Sequence, residues 1–309
     1  MEFNQSTNFI LLGLVEMESL KYLYSVLSLV LYMFTLLSNL MVVLVVLGNE
    51  SLHQPMYILI ANLVVNGLFG SSAFFPKLIV DLFFSLLMIS RAGCFIQAFC
   101  LLVATYCEIS TFTIMAYDMY VAVCNPLRYG TLMTSTVALN LIVGSLFLNL
   151  TLALSTVLLA TRLPLCGSKL NSIFCDNMSI INLSCVDTSL NKVYGSILFI
   201  SYLLSAILII AVSYIQIFLV CLKVSKDASR KAIHTVVTHL LNFSIFLIGV
   251  LFIFIRYRME NTGIPLYIPA VTALVFPPML TPLIYGIRIK ALKYKIVCHL
   301  QKLSKRGHS

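Results

Sequence analysis

An all-α membrane protein, a bundle of seven transmembrane helices, is the fold this sequence predicts, and three observations predict it. Hydrophobic residues make up 60% of the 309-residue chain and charged ones only 10%, whereas soluble domains are about half apolar and about a quarter charged. Seven segments supply the run of about 20 apolar residues that crosses about 30 Å of hydrocarbon. Basic residues gather after the fifth and seventh of these segments, which gives the chain a sidedness.

In order, the spans fall at residues 23–47, 56–80, 94–119, 137–160, 195–222, 236–256 and 266–287. Each must be a helix, because unpaired backbone groups are too costly in lipid. A short apolar stretch, 82–90, follows the second. The first 21 residues lack the basic start, apolar core and small-residue cleavage site of a signal peptide, so the first span acts as the targeting signal. No repeat and no low-complexity tract divides the chain, which predicts one domain over residues 1–309. Beyond the seventh span, Ile289, Leu292, Ile296, Leu300 and Leu303 recur at helical spacing among basic residues, predicting a short amphipathic helix on the inner leaflet. Cys298 in that tail is open to palmitoylation or to a role as a plain thiol.

Of the twenty Lys and Arg residues, twelve fall on one side, including Arg128, Lys223, Arg230 and the tail from Arg288. That side is cytoplasmic by the positive-inside rule, which leaves the N-terminus, with Glu2, Glu16 and Glu18, outside a plasma-membrane protein. A net charge of +9 would suggest nucleic acid for a soluble chain. Here the excess lies beside anionic lipid, and no nucleic-acid partner is expected.

Cys94, Cys166, Cys175 and Cys185 fall in the oxidising space outside, where four thiols can pair in three ways and spacing does not choose. Zinc is the rival use of the Cys166–Cys185 loop, but paired C-x-x-C spacing is missing. The sequons at Asn4, Asn177 and Asn182 lie outside as glycan acceptors, whereas those at Asn49, Asn149 and Asn242 fall inside or within spans. His53, His234, His239, His299 and His308 fall on the cytoplasmic side without metalloprotease spacing, and no phosphate loop or nucleophile elbow occurs. Catalytic residues, metals and cofactors are therefore not expected.

Glu108 is the one acid deep within a predicted span, and such residues are functional candidates because a central charge is costly. Its bland reading is a protonated or water-bound acid facing the bundle. One turn apart on the third span lie Leu101, Thr105, Glu108 and Phe112, with Leu102, Tyr106 and Ile109 beside them: an apolar wall with two hydroxyls. Arg256 reads as a residue snorkelling to head groups. Arg258 is open to that reading or to pairing with an acidic ligand.

Seven fragments in order, "NFILLGL" from Asn8, "LHQPMYILIANL" from Leu52, "MAYDMYVAVCNPLRY" from Met115, "CGSKLNSIFCDNMSIINLSCVD" from Cys166, "SYIQI" from Ser213, "KAIHTVVTHL" from Lys231 and "PPMLTPLIYGIRIK" from Pro277, resemble the odorant receptors. These are a branch of the rhodopsin-like G-protein-coupled receptors. "NGLFGSSAFFPKL" from Asn66 looks like the fish-type branch. The resemblance implies disulfides Cys94–Cys175 and Cys166–Cys185, and a small-molecule odorant held by Leu101, Leu102, Thr105, Tyr106, Ile109, Leu198, Phe199, Tyr202, Phe254 and Arg258. It also implies a stimulatory heterotrimeric G protein as partner, and activation or coupling roles for Glu108, Asp118, Met119, Tyr120, Tyr214, Pro282 and Tyr285.

Three departures thin the family's polar network. Met119 replaces the Arg of D-R-Y, Gly67 stands where the second span carries an acid, and Thr281 replaces the Asn of N-P-x-x-Y. In relatives that Arg pairs with the acid at rest and meets the G protein when active. Met119 can do neither by charge, and Asp118 is expected to be left to water at the interface. Loss of the resting pair would raise basal activity; loss of the G-protein contact would weaken coupling, and weakened coupling is the favoured outcome. The alternatives are a receptor-like binder with little signalling and, with less support, a transporter or channel, which would show repeat symmetry and a polar path.

Overall fold

The structure, a computed structural model, describes residues 8–223, 226–258 and 267–306. Among these, seven helices are long and apolar enough to cross a membrane. They are α1 (Lys21–Leu47), α2 (Pro55–Phe84), α3 (Arg91–Cys124), α4 (Ser135–Thr161), α5 (Ser189–Cys221), α6 (Lys226–Arg258) and α7 (Phe276–Arg288), the last entered through a π-helical turn at Val271–Val275. The tail forms α8, Lys290–Arg306, and Leu292 on it is wholly buried.

Several helices outrun their apolar stretches. At 1.5 Å per residue the 34 residues of α3 span about 50 Å, well beyond the hydrocarbon. The ends carry ordinary signals. Pro55 occupies the first turn of α2, Ser90 Oγ accepts the Gly93 N–H at 3.1 Å to start α3, and Thr134 Oγ1 accepts the Val137 N–H at 3.2 Å to start α4, each meeting an orphan donor or avoiding one. Before α5, Asp187 accepts the Ser189 hydroxyl at 2.6 Å and its N–H at 2.9 Å. Those bonds hold its carboxyl below the usual carboxylate range.

Extension of α2 changes one reading. The stretch 82–90 is not a separate apolar piece: the helix runs to Phe84, turns through Ser85 at φ 54°, and resumes as a strand. Asp81 is thereby brought inside a helix, 1% exposed and paired with Lys77. Glu108 is thus not the only acid buried along a span.

Apolar faces do not hold helices together in lipid, because the tails are as apolar as leucine; close packing and interhelical hydrogen bonds do. Asn39 Nδ2 donates to the Pro278 carbonyl at 2.8 Å, tying α1 to α7. Asn62 Nδ2 reaches Thr111 Oγ1 at 2.8 Å and Asn66 Nδ2 the Ala104 carbonyl at 2.9 Å, both joining α2 to α3. Asn149 of α4 donates to Ser110 Oγ at 3.0 Å and accepts the Tyr202 hydroxyl at 2.7 Å, bridging three helices. Such bonds contribute about 0.6 kcal/mol each on average.

The outer face holds strands where only helices and loops were expected. Strand β1 (Asn8–Leu11) lies between β2 (Met88–Ser90) and β3 (Lys169–Leu170). It runs antiparallel to β2, with Phe9 opposite Ile89, and parallel to β3, with Ile10 beside Lys169. Alternation puts Phe9 and Leu11 into the core at 1% exposure each. A 3-10 segment, Leu12–Leu20, links the strand to α1. At Gly13 a Cβ would stand 2.5 Å from Ile173 Cγ2 and 2.8 Å from the Ser172 carbonyl carbon, so only glycine lets this segment rest on the second outer loop. The fragment "NFILLGL" thus has a structural reason in this strand and this close approach.

Candidate functional site

The outer loop over the bundle is pinned twice. Cys94, at the start of α3, is bonded to Cys175, and Cys166 to Cys185 within the loop. Gln97 Oε1 accepts the Cys175 N–H at 2.9 Å, while Phe174 meets the Phe74 ring edge-on at 5.9 Å. Asp176 then caps a one-turn helix, Asn177–Ile181, its two oxygens taking the Ser179 N–H at 2.9 Å and hydroxyl at 2.6 Å.

Beneath this lid lies a cavity of about 210 Å³. Of the residues the sequence nominated, Leu101, Leu102, Thr105, Tyr106, Phe199 and Phe254 line it, and so does Glu108. Phe199 and Phe254 stack with centroids 6.0 Å apart, closing the α5–α6 side. Three nominated residues do not line it. Ile109 is wholly buried in the core below; Tyr202 turns away to meet the Tyr106 ring edge-on at 5.1 Å and to bond Asn149. Leu198, the neighbour of Phe199 on α5, faces another direction, as adjacent helical residues must. The side chains of Arg256 and Arg258, with Asn4, lie outside the described residues.

The floor of the cavity is polar: Asn66, Ser71 and Glu108 share it with Gly67 and Gly70. At Gly67 a Cβ would be 3.1 Å from Pro278 Cβ, and at Gly70 3.3 Å from Ala104 Cβ. The missing side chains let α2 lie close to α7 and α3. The departure at Gly67 is therefore steric as well as electrostatic, and an acid restored there would have to push Pro278 aside.

Two readings change at the cytoplasmic end. Asp118 is 2% exposed, not left to water, and accepts the Tyr129 hydroxyl at 2.9 Å. Burial, together with Asp118, pushes the Tyr129 hydroxyl above the usual phenol range, so it stays a donor. Met119 is 6% exposed and packs with Ile217 and Cys221 of α5, bordered by Tyr120, Tyr214 and Val236. The position that would carry a cation is a plug of apolar side chains between α3, α5 and α6.

Along α7, Thr281 Oγ1 donates to Asn242 Oδ1 at 3.1 Å and to its own helix at Pro277 O, 2.8 Å. Pro282 is buried inside the helix, and the Tyr285 hydroxyl lies 3.0 Å from His239 Nδ1. His239, placed on the cytoplasmic side by the sequence, is in fact 1% exposed inside the bundle. His239, Asn39, Gln97, Asn149 and Asn242 are structural residues the sequence reading passed over. Their signal was available, since polar side chains within apolar spans face the bundle; Asn149 and Asn242 were weighed only as unused sequons.

Seven helices, a disulfide-pinned lid and an outer-half cavity define a rhodopsin-like receptor, and the fold agrees with squid rhodopsin at a TM-score of 0.74, 16% identity and coverage of 93% of this chain and 87% of that one. The model described as olfactory receptor matches residues 27–303. Human olfactory receptor 8I2 is 34% identical over 94% of this chain and 94% of its own length. Human olfactory receptor 6N1 is 32% identical over 97% of each, and mouse olfactory receptor 8U9 34% identical over 94% of this chain and 93% of its own. The chain belongs to the olfactory receptor family: it is an odorant-binding G-protein-coupled receptor of the plasma membrane, and a receptor in place of an enzyme. These comparisons do not bear out a fish-type branch.

Proposed function

We propose that an odorant binds beneath the lid, between α3, α5 and α6, and that its occupancy is passed to a stimulatory heterotrimeric G protein, raising cAMP, through a coupling surface weakened at Met119. The observation that carries the reading is the lidded, mostly apolar cavity formed by Leu101, Leu102, Thr105, Tyr106, Phe199 and Phe254. Ligand and G protein then select among packings of the same bundle. Its test is a cAMP reporter with an odorant panel on wild type and Leu102→Trp, in which an indole fills the cavity. Potency should fall about tenfold or more, equivalent to about 1.4 kcal/mol, at unchanged surface level; unchanged potency would overturn this placement of the site. A second reading, a receptor that binds but signals little, is favoured by the apolar packing of Met119.

Glycan attachment belongs at Asn182 rather than Asn177. Asn182 is exposed, whereas Asn177 lines the cavity with its Oδ1 buried and unpaired. Asn182→Gln should raise gel mobility as deglycosylation does, and Asn177→Gln should not; a shift from Asn177→Gln alone would reverse the assignment.

A further inference from the structure

We infer that the cavity favours ligands that donate hydrogen bonds, small amines above all, with the ammonium seated at Glu108. This rests on the odorant-binding reading of the same cavity and narrows it to a ligand class.

The argument is a census of donors and acceptors. Four donors in the lining are already committed to backbone carbonyls: Asn66 to Ala104 at 2.9 Å, Thr105 to Leu101 at 2.9 Å, Thr156 to Leu152 at 2.8 Å and Asn191 to Leu159 at 3.1 Å. Acceptors remain over. Ser71 Oγ, in a residue 1% exposed, has no partner, nor has Asn177 Oδ1, and among the described residues no hydrogen bond reaches the Glu108 carboxyl. The hydroxyls of Ser71 and Tyr106 can work either way, as can the Glu108 carboxyl while it holds its proton; once ionised by an ammonium it only accepts, as the amide oxygen does. A ligand that supplies protons gives the Glu108 carboxylate the partner it lacks among the described residues, and one that supplies only lone pairs leaves that carboxylate unsatisfied, at its full desolvation cost.

Charge points the same way. The two ionisable acids of the lining are Glu108 and Asp176, the second occupied with Ser179, and no Lys, Arg or His is among the described lining residues. Among the described lining residues a carboxylate ligand would face an acid with no cation beside it, whereas an ammonium forms a charge-assisted bond in a site that water leaves. One other buried span acid is met in this manner, Asp81 by the Lys77 ammonium, while Asp118 takes the Tyr129 hydroxyl. The alkyl or aryl part would lie upward against Leu101, Leu102 and the Phe199–Phe254 stack.

The test uses full-length receptor in detergent and follows its melting temperature with hexylamine, hexanol and hexanoic acid, which share one chain length. Hexylamine should raise the melting temperature by several degrees more than hexanol, with hexanoic acid least effective. Glu108→Gln should remove the amine's excess while keeping the response to hexanol. Equal shifts from amine and alcohol on wild type, or an amine advantage that survives Glu108→Gln, would overturn the inference, and the wild-type ranking decides it alone if the variant does not fold. Stabilisation by neutral odorants without stabilisation by amines would reject the amine class and leave the odorant-binding reading intact. No stabilisation by any member of a broad panel would reject that reading, and this inference with it.

Discussion

Gly249→Ala removes most of the receptor from the cell surface and lowers the melting temperature of what remains. Gly249 is buried on α6, and a Cβ there would stand 2.6 Å from the Thr272 carbonyl oxygen and 2.7 Å from Ala273 Cα. Both are backbone atoms of the π-helical turn Val271–Val275, so no side chain can swing away to make room. Overpacking typically costs about 1–3 kcal/mol and occasionally more, against a total stability of about 5–15 kcal/mol in globular proteins. Rigid backbone on one side puts this site at the upper end. The same turn leads into α7 and contributes to the cavity wall, so the damage reaches ligand binding. Surface staining and thermal melting of tagged wild type and variant measure it; Gly249→Ala at wild-type level and stability would show that α6 and the turn can separate freely. Gly144, where an added Cβ meets nothing within 4 Å, supplies the control: Gly144→Ala should be tolerated.

Met119→Arg increases odorant-evoked cAMP several-fold. Wild type holds Met119 in an apolar cluster with Ile217 and Cys221 while Asp118 is satisfied by Tyr129. The closed packing thus has two ties that need no guanidinium, and the sequence expectation of a freed acid gives way to one of an occupied acid. An arginine at this position could not stay in the cluster uncharged, since its guanidinium remains protonated. It would either pair with Asp118, competing with Tyr129, or leave for the cytoplasmic cavity and present a cation to the G protein. The second route supplies what the wild-type surface lacks. Met119→Leu, which keeps the apolar plug, should behave as wild type. Equal and robust responses from wild type and Met119→Arg, at matched surface levels, would sink the view that coupling is weakened here.

The bundle was legible in the sequence because lipid leaves the chain few choices. The seven runs of apolar residues coincide with the seven helices, and what moved was where each ends. Phe84 and Cys124 lie beyond the apolar runs because hydrogen bonding, not hydropathy, decides where a helix stops. The wall of the cavity on α3 was legible in part: helical spacing put Leu101, Leu102, Thr105 and Glu108 on one wall and the family resemblance made that wall a pocket, but the same spacing also included Phe112 and Ile109, which lie in the core. Errors came where direction depends on partners in other helices. Tyr202 reads like a ligand contact until Asn149 is seen to hold its hydroxyl, and Ile109 until the core closes over it. The strand Asn8–Leu11 escaped because its partners are about 80 and 160 residues away along the sequence, and four residues carry too little periodicity to announce a sheet.

That strand sets an order of events during synthesis. Its residues cross the membrane first; β2 becomes available after α2, yet β3 only after α4 has been threaded, so the amino-terminal segment waits through two insertions for its first partner and through four for its second. Long-range closure of this kind is slow relative to local helix formation. A receptor stalled in that interval would show the lumen a bare ribbon edge with Phe9 and Leu11 uncovered, a surface on which chaperones can retain it.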